Sequence, residues 1–274
     1  MGAMDEGRGA VVTGAAGGIG LAVARACLGR GMRVTVADAD AGRLGAAAEA
    51  LEREAGGRVA QAVCDVSDPA SFEALRAAAE AWGPVDLLVL NAGIARPCRP
   101  WEGREAWEET LGVNLWGVVN GLMAFVPGML ARGEGAVVAT GSKQGITNPP
   151  GNPAYNVSKA GVRVVMEQLA WEFRQAGAGL SAHLLVPGFT WTGMTAGDRT
   201  EKPAGAWEPW QVAERMVEGV GRGDFYILCE DNEVDWETDR KRIAWGAGDI
   251  TEGRPALSRW HPDFGAAWEA FRRG

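Results

Sequence analysis

A tyrosine stands four residues ahead of a lysine in the stretch PAYNVSKAG, Pro153 to Gly161. Residues i and i+4 share a helix face, so the Lys159 ammonium can lie beside the Tyr155 phenol. A free phenol has a pKa of about 10 and is only ~0.1% ionised at neutral pH. Lowering that value by about three units takes roughly 4 kcal/mol of preferential phenolate stabilisation, to which a nearby cation contributes. Such a pair would move a proton to or from a substrate oxygen. The same spacing occurs on ordinary helix surfaces, so the rest of the chain must decide between a reactive phenol and a solvated one.

Two further groups point to a bound dinucleotide. In VVTGAAGGIGLAVARACL, Gly14, Gly18 and Gly20 join an apolar run to an amphipathic stretch. Glycines there permit a tight turn and let a phosphate approach the bare amides near Gly18 and Ile19, at the positive end of a helix. The context of a strand, a glycine loop and a helix is the one such a loop requires. Asp38 ends the next apolar run, where a carboxylate can accept hydrogen bonds from both adenosine ribose hydroxyls and repel a 2′-phosphate. The loop holds no Arg or Lys, and Ala39 follows the acid. The expected cofactor is therefore NAD, with Arg43 near enough in sequence to keep NADP as the alternative.

The elements that must carry these groups are legible as alternating patterns. Apolar, β-branched runs at 10–14, 33–38, 58–65, 85–91, 135–142, 180–188 and 224–229 read as strands, and several are apolar almost throughout, as strands covered on both faces would be. Helical periodicity falls near 18–30, 40–55, 69–82, 104–131, 153–177 and 208–221. Asp68-Pro69 and Asn152-Pro153 each pair an N-cap with a proline at the first helical position. This alternation predicts an α/β fold, a doubly wound parallel sheet of the Rossmann type. One domain is expected over 1–274, with its core at 8–229. Seven of the 12 tryptophans lie at or after Trp191, and residues 230–274 are charge-rich. That tail is read as a C-terminal extension packed on the sheet edge or on a neighbouring subunit.

With these segments in view, the chain resembles the short-chain dehydrogenase/reductase family, in its common single-domain branch. The resemblance runs from about residue 10 to about residue 195. It rests on TGAAGGIG (13–20), CDVSD (64–68), NAG (91–93), NLWG (114–117), GS (141–142), YNVSK (155–159) and PGFTWT (187–192), all in the family's order. It implies a catalytic set of Asn114, Ser142, Tyr155 and Lys159, with NAD(P) as redox cofactor. Tyr155 would exchange the alcohol proton, Ser142 would hold the substrate oxygen, and Lys159 would also donate to the nicotinamide ribose. Asn114 would hold a water in a proton relay. Asp65 and Val66 would sit near the adenine, and Asn91, Ala92 and Gly93 would flank the ribose. Pro187, Gly188, Thr190 and Thr192 would line the nicotinamide side. The implied activity is NAD-dependent interconversion of a secondary alcohol and a ketone, and the implied assembly is a homotetramer or homodimer. A non-catalytic dinucleotide-binding regulator is the alternative, which the intact Ser, Tyr and Lys set disfavours.

Substrate choice should lie in the loops 94–103, 143–152 and 189–210, the last read as a lid. Trp191, Met194, Trp207 and Trp210 are pocket-wall residues or packing anchors. Arg96, Arg99 and Lys143 either bind an acidic group or are solvated. A formal net charge of −8 without a basic stripe argues against nucleic acid as a partner. No run approaches the length of a membrane span, and the first residues lack a signal-like apolar core, so a cytoplasmic location without a membrane partner is expected. Cys27, Cys64, Cys98 and Cys229 show no C-x-x-C spacing and are read as reduced thiols. His183 and His261 have no ligand-like neighbours, so no metal site is expected.

Overall fold

The computed structural model describes residues 2–177 and 179–274. Seven parallel strands form one sheet in the order β3-β2-β1-β4-β5-β6-β7: β1 Gly9–Thr13, β2 Arg33–Asp38, β3 Val59–Val63, β4 Leu87–Leu90, β5 Gly135–Thr140, β6 Leu180–Val186 and β7 Tyr226–Leu228. Strands β1, β4 and β5 are buried along their whole length, as their unbroken apolar runs require when helices cover both faces. Helices α1 (Gly18–Gly29), α2 (Ala41–Ala55) and α9 (Pro209–Arg222) pack one face with Val12, Val34, Val36, Leu44 and Met216. Helices α3 (Pro69–Ala81), α5 (Gly117–Arg132) and α7 (Pro153–Ala176) pack the other with Phe72, Leu88, Phe125, Met166 and Phe173. The direction of winding reverses between β1 and β4. Open sheets of this kind bind ligands in the crevice outside the strand ends at that reversal.

Helix starts follow the predicted caps. Asp68 accepts from the Ala70 amide at the head of α3. Asn152 accepts from the Tyr155 amide at the head of α7, so the cap bonds directly to the backbone of the phenol residue. The expected single helix over 104–131 has three parts: α4 (Arg104–Leu111), a π-helical turn (Gly112–Trp116) and α5. The wider turn carries Asn114, and such single π turns are often found at functional positions. By length and a mean hydropathy of 1.4, Arg104–Arg132 is also apolar enough to cross a membrane. Here it lies against the sheet with Val118, Phe125 and Met129 in the core.

Short helices α6 (Gln144–Thr147) and α8 (Gly193–Ala196) follow β5 and β6. The extension folds as α10 (Trp236–Thr251), two 3-10 turns and α11 (Gly265–Arg273), and α10 packs on α6. It has a small core of its own. Trp245 meets Trp268 and Phe271 edge-on, and the Arg254 guanidinium stacks 4.0 Å from the Trp245 ring centre. The four cysteines are free, and burial pushes the Cys27 and Cys229 thiols up to about 12. His183 is buried between the Asp224 carbonyl and the Ser181 hydroxyl. Among the described residues no cluster of His, Cys, Asp or Glu has a metal-holding arrangement.

Candidate active site

The carboxyl ends of β1, β2, β4, β5 and β6 open into one cleft of about 370 Å³. Its floor is the glycine loop. Gly14 adopts φ +65°, and a Cβ there would lie 2.8 Å from the Ala92 Cα, so the two loops meet backbone to backbone. Gly20 does not line the cleft; it packs under the Gly14 carbonyl, where a side chain would collide. Asn91 ties the first loop to the fourth strand. Its Nδ2 donates to the Thr13 and Gly14 carbonyls, and its Oδ1 accepts from the Thr140 hydroxyl. The side chain is thus largely committed to holding the floor.

Asp38 sits at the rim. Its Oδ2 accepts from the Ala16 amide at 3.0 Å, and its Oδ1 accepts from the Asp40 amide at 3.1 Å. Arg43, in the first turn of α2, also lines the cleft, and its guanidinium lies 2.9 Å from where a Gly17 Cβ would be. Acid and base therefore flank the same rim.

The opposite wall holds Ser142, Tyr155 and Lys159. Tyr155 and Lys159 stand one turn apart on α7, with the Lys159 Nζ 5.8 Å from the phenol ring centre. Lys159 is buried and donates to the Thr140 carbonyl at 2.7 Å, and burial pulls its pKa down to about 8. It stays mostly charged at neutral pH. Burial raises the Tyr155 pKa, and the Ser142 hydroxyl beside it works in the opposite direction. The chain's own residues thus hold the phenol in its protonated form. The Ser142 Oγ accepts from the Gln144 amide, which leaves its own proton free to donate.

Asn114 lies beneath this wall, fully buried. Its Oδ1 accepts from the Ile94 amide at 2.8 Å, and its Nδ2 donates to the Ile94 carbonyl and the Ser158 hydroxyl. Gly93 fills the space above it; a Cβ there would lie 3.3 Å from the Asn114 Oδ1 and 3.5 Å from the Lys159 Nζ.

Of the predicted residues, Gly14, Gly18, Ile19, Asp38, Asn91, Ala92, Gly93, Ser142, Tyr155, Lys159, Pro187, Gly188, Thr190 and Thr192 line the cleft together. Asp65 and Val66 do not. Asp65 is exposed and binds Ser67 through its amide and hydroxyl, while Val66 packs under Gly117 and receives the Asn120 amide on its carbonyl. The residues of 189–210 divide. Met194 lines the cleft, Trp207 packs on the core, and Trp210 is exposed on α9. Arg96 pairs with Glu109 on the surface, whereas Lys143 is mostly enclosed in an ion cluster. Lining residues not named individually are Gly17, Ile94, Gly141, Gly193 and Thr195, which lie within the predicted motifs and loops, and Thr140, which ends β5. Most adjoin a predicted residue, and that adjacency is the signal that could have found them.

A family model described as short chain dehydrogenase matches residues 8–203. Galactitol 2-dehydrogenase (L-tagatose-forming) of Cereibacter sphaeroides is 38% identical over 208 residues, covering 75% of this chain and 79% of that protein. A short chain dehydrogenase/reductase from Burkholderia phymatum, solved in complex with NAD, superposes with a TM-score of 0.83 at 31% identity, covering 93% of this chain and 97% of its own. An alcohol dehydrogenase from the archaeon Thermococcus sibiricus, complexed with 5-hydroxy-NADP, reaches a TM-score of 0.70 at 30% identity over 77% of this chain and 89% of its own. The chain belongs to the short-chain dehydrogenase/reductase family, oxidoreductases that act on CH–OH groups. Its solved neighbours carry NAD or an NADP derivative.

Proposed function

We propose that this protein is an NAD-dependent oxidoreductase interconverting a secondary alcohol and a ketone, with Tyr155 as general acid/base. The observation that carries the reading is the meeting of Tyr155, Ser142 and Lys159 with the glycine loop and Asp38 in one cleft. The residues fit a nicotinamide dinucleotide. Gly14 and Gly18 at positive φ leave backbone bare, and Asp38 keeps lone pairs for ribose hydroxyls beside its two backbone bonds. Such a cofactor, when bound, supplies the hydride acceptor and a positive charge that favours the phenolate.

Ser142 donates to the substrate oxygen and orients it. Tyr155 takes the hydroxyl proton from that oxygen in oxidation and returns it in reduction. Lys159 keeps a cation within reach of the phenol and has donors to spare for ribose hydroxyls. Asn114 supports the set from below by fixing the Ile94 backbone; in the relay reading, it also holds a water on the proton's way out. Asp65 and Val66 remain the proposed adenine-side contacts, reached beyond the residues that line the cleft.

Arg43 gives the NADP reading its one specific support, because its guanidinium shares the rim with Asp38. Titration with NADH and NADPH separates the two: tighter NADH binding is expected, and tighter NADPH binding would reverse the assignment. Tyr155→Phe is expected to lose about a thousandfold in kcat while still binding NADH. Near-wild-type turnover would end the mechanism. A polyol or another small secondary alcohol is the substrate class to screen first, given the galactitol dehydrogenase relative.

Homo-oligomer formation is proposed as well. Trp116, Met123 and Leu130 are exposed at seven-residue intervals along α5 and its preceding turn, and Val157, Val164 and Trp171 repeat the spacing on the adjacent α7. Two apolar stripes side by side suit pairing with the same face of a second copy. Sedimentation of a Met123→Glu/Val164→Glu variant should show smaller particles than wild type.

A further inference from the structure

Lys143 follows the proposed substrate-orienting serine, yet it does not line the cleft. Its Nζ is 2.6 Å from the Asp239 carboxylate and 3.3 Å from that of Asp231. All three side chains are nearly buried, at 14%, 4% and 7% exposure respectively. Arg242 adds a second cation 3.5 Å from Asp239. The cluster is thus two cations against two carboxylates, drawn from the β5–α6 turn, the segment after β7 and the first turns of α10.

Each arm reaches a different wall segment. The Lys143 amide faces the Pro187 carbonyl at 3.5 Å, and its carbonyl accepts from the Ile146 and Thr147 amides. The Ser142 carbonyl accepts from the Gly145 amide in the same turn. Asp231 reaches to the Phe189 amide at 3.3 Å. Between them lies Gly188, where a Cβ would sit 2.8 Å from the Asp231 carboxylate, 2.9 Å from the Lys143 Nζ and 3.0 Å from the Glu230 carbonyl. A well-packed apolar cluster would stabilise this place as well as buried charges do. Charges with fixed partners do something an apolar cluster does not, which is to select one relative position for three segments.

We propose that Lys143 is a positioning residue, clamped by Asp231 and Asp239, through which the C-terminal extension holds Ser142 and the Pro187–Phe189 turn against the substrate. The proposal rests on the reading of Ser142 as the group that orients the substrate oxygen. It gives the extension a role in the reaction although none of its residues lines the cleft.

The test is a double-mutant cycle on the full chain, with Asp239→Asn chosen because it keeps the shape of the side chain. Asp239→Asn is expected to lower kcat by roughly tenfold, and NADH affinity by less than about twofold. In a Ser142→Ala background the same change should cost less than about twofold in kcat, because the group it positions is gone. Equal losses in both backgrounds, or no loss in either, would overturn the proposal. Asp239→Glu should recover part of the rate. A second arm needs no turnover: hydrogen exchange in peptides spanning 141–147 and 187–190 should speed up in Asp239→Asn. Unchanged exchange there, with only a lowered melting temperature, would refute the clamp. If wild-type protein oxidises no alcohol, the functional reading fails, and the exchange arm still decides whether the clamp exists.

Discussion

Two walls face each other across the cleft, and they are built by different means. The wall proposed for the cofactor, residues 13–20 with 91–93, is made of backbone. Gly14 and Ala92 touch main chain to main chain, and the Asn91 amide stitches the loops together. The wall proposed for substrate, residues 142–147 and 187–196, is held from behind by side chains, those of residues 230–239 included. Its segments meet through Lys143, Asp231 and Asp239, and the nearer of the two acids is 88 positions from the lysine in the chain. Close backbone approach admits only one residue type at a given place. A buried ion cluster can be assembled from any positions the fold brings together. The first wall should therefore tolerate no added atom, and the second should fail in geometry before it fails in stability.

Gly14→Ala is the strongest way to probe that contrast. A side chain at φ +65° and a methyl 2.8 Å from the Ala92 Cα together should cost about 3 kcal/mol, or roughly 10 °C in Tm, with loss of NADH binding. Calorimetry and a binding titration would check both; an unchanged Tm would show that the loop yields.

Lys159 joins the two walls through the Thr140 carbonyl and gives a pH signature of comparable or smaller size. Its pKa is about 8 in the folded chain, below its ordinary value of 10.5, so between these limits the unfolded chain binds more protons. Stability from this group is therefore full above the unfolded value and is lost as pH falls through about 8. Relative to Lys159→Met, wild type should gain up to about 3 kcal/mol between pH 7 and 10.5. Melting curves of both proteins across that range test it, and parallel pH profiles would contradict it.

Asp231→Asn is the mildest probe. It removes one charge from the ion cluster and keeps the shape of the side chain, and the expected result is a roughly fivefold fall in kcat with NADH affinity nearly kept. A matching loss of NADH affinity would erase the distinction between the walls.

The same contrast explains what could be read in advance. All seven strands and helices α1, α2, α3, α7 and α9 lie close to where the apolar periodicity set them; unbroken apolar runs mark the central strands, while the edge strands β3 and β7 are partly exposed, and α10 was not marked by any pattern. The caps Asp68 and Asn152 were visible because capping is a local rule. The π turn at Asn114 was not, since one added residue in a helix leaves the apolar pattern nearly intact. Lys143 could not be told from a solvated lysine, because nothing near it in the chain names its partners. Among Trp191, Trp207 and Trp210 none lines the cleft, and composition does not separate a wall from an anchor.

Asp38, the proposed discriminator, is also a strut. The carboxylate that would greet a ribose also receives the Ala16 amide and so braces the turn on which a pyrophosphate would rest. Exchanging it to alter dinucleotide preference would free that amide as well. Redesign toward the phosphorylated cofactor would then need two changes made together: a new cationic contact alongside Arg43, and a replacement acceptor for the loop.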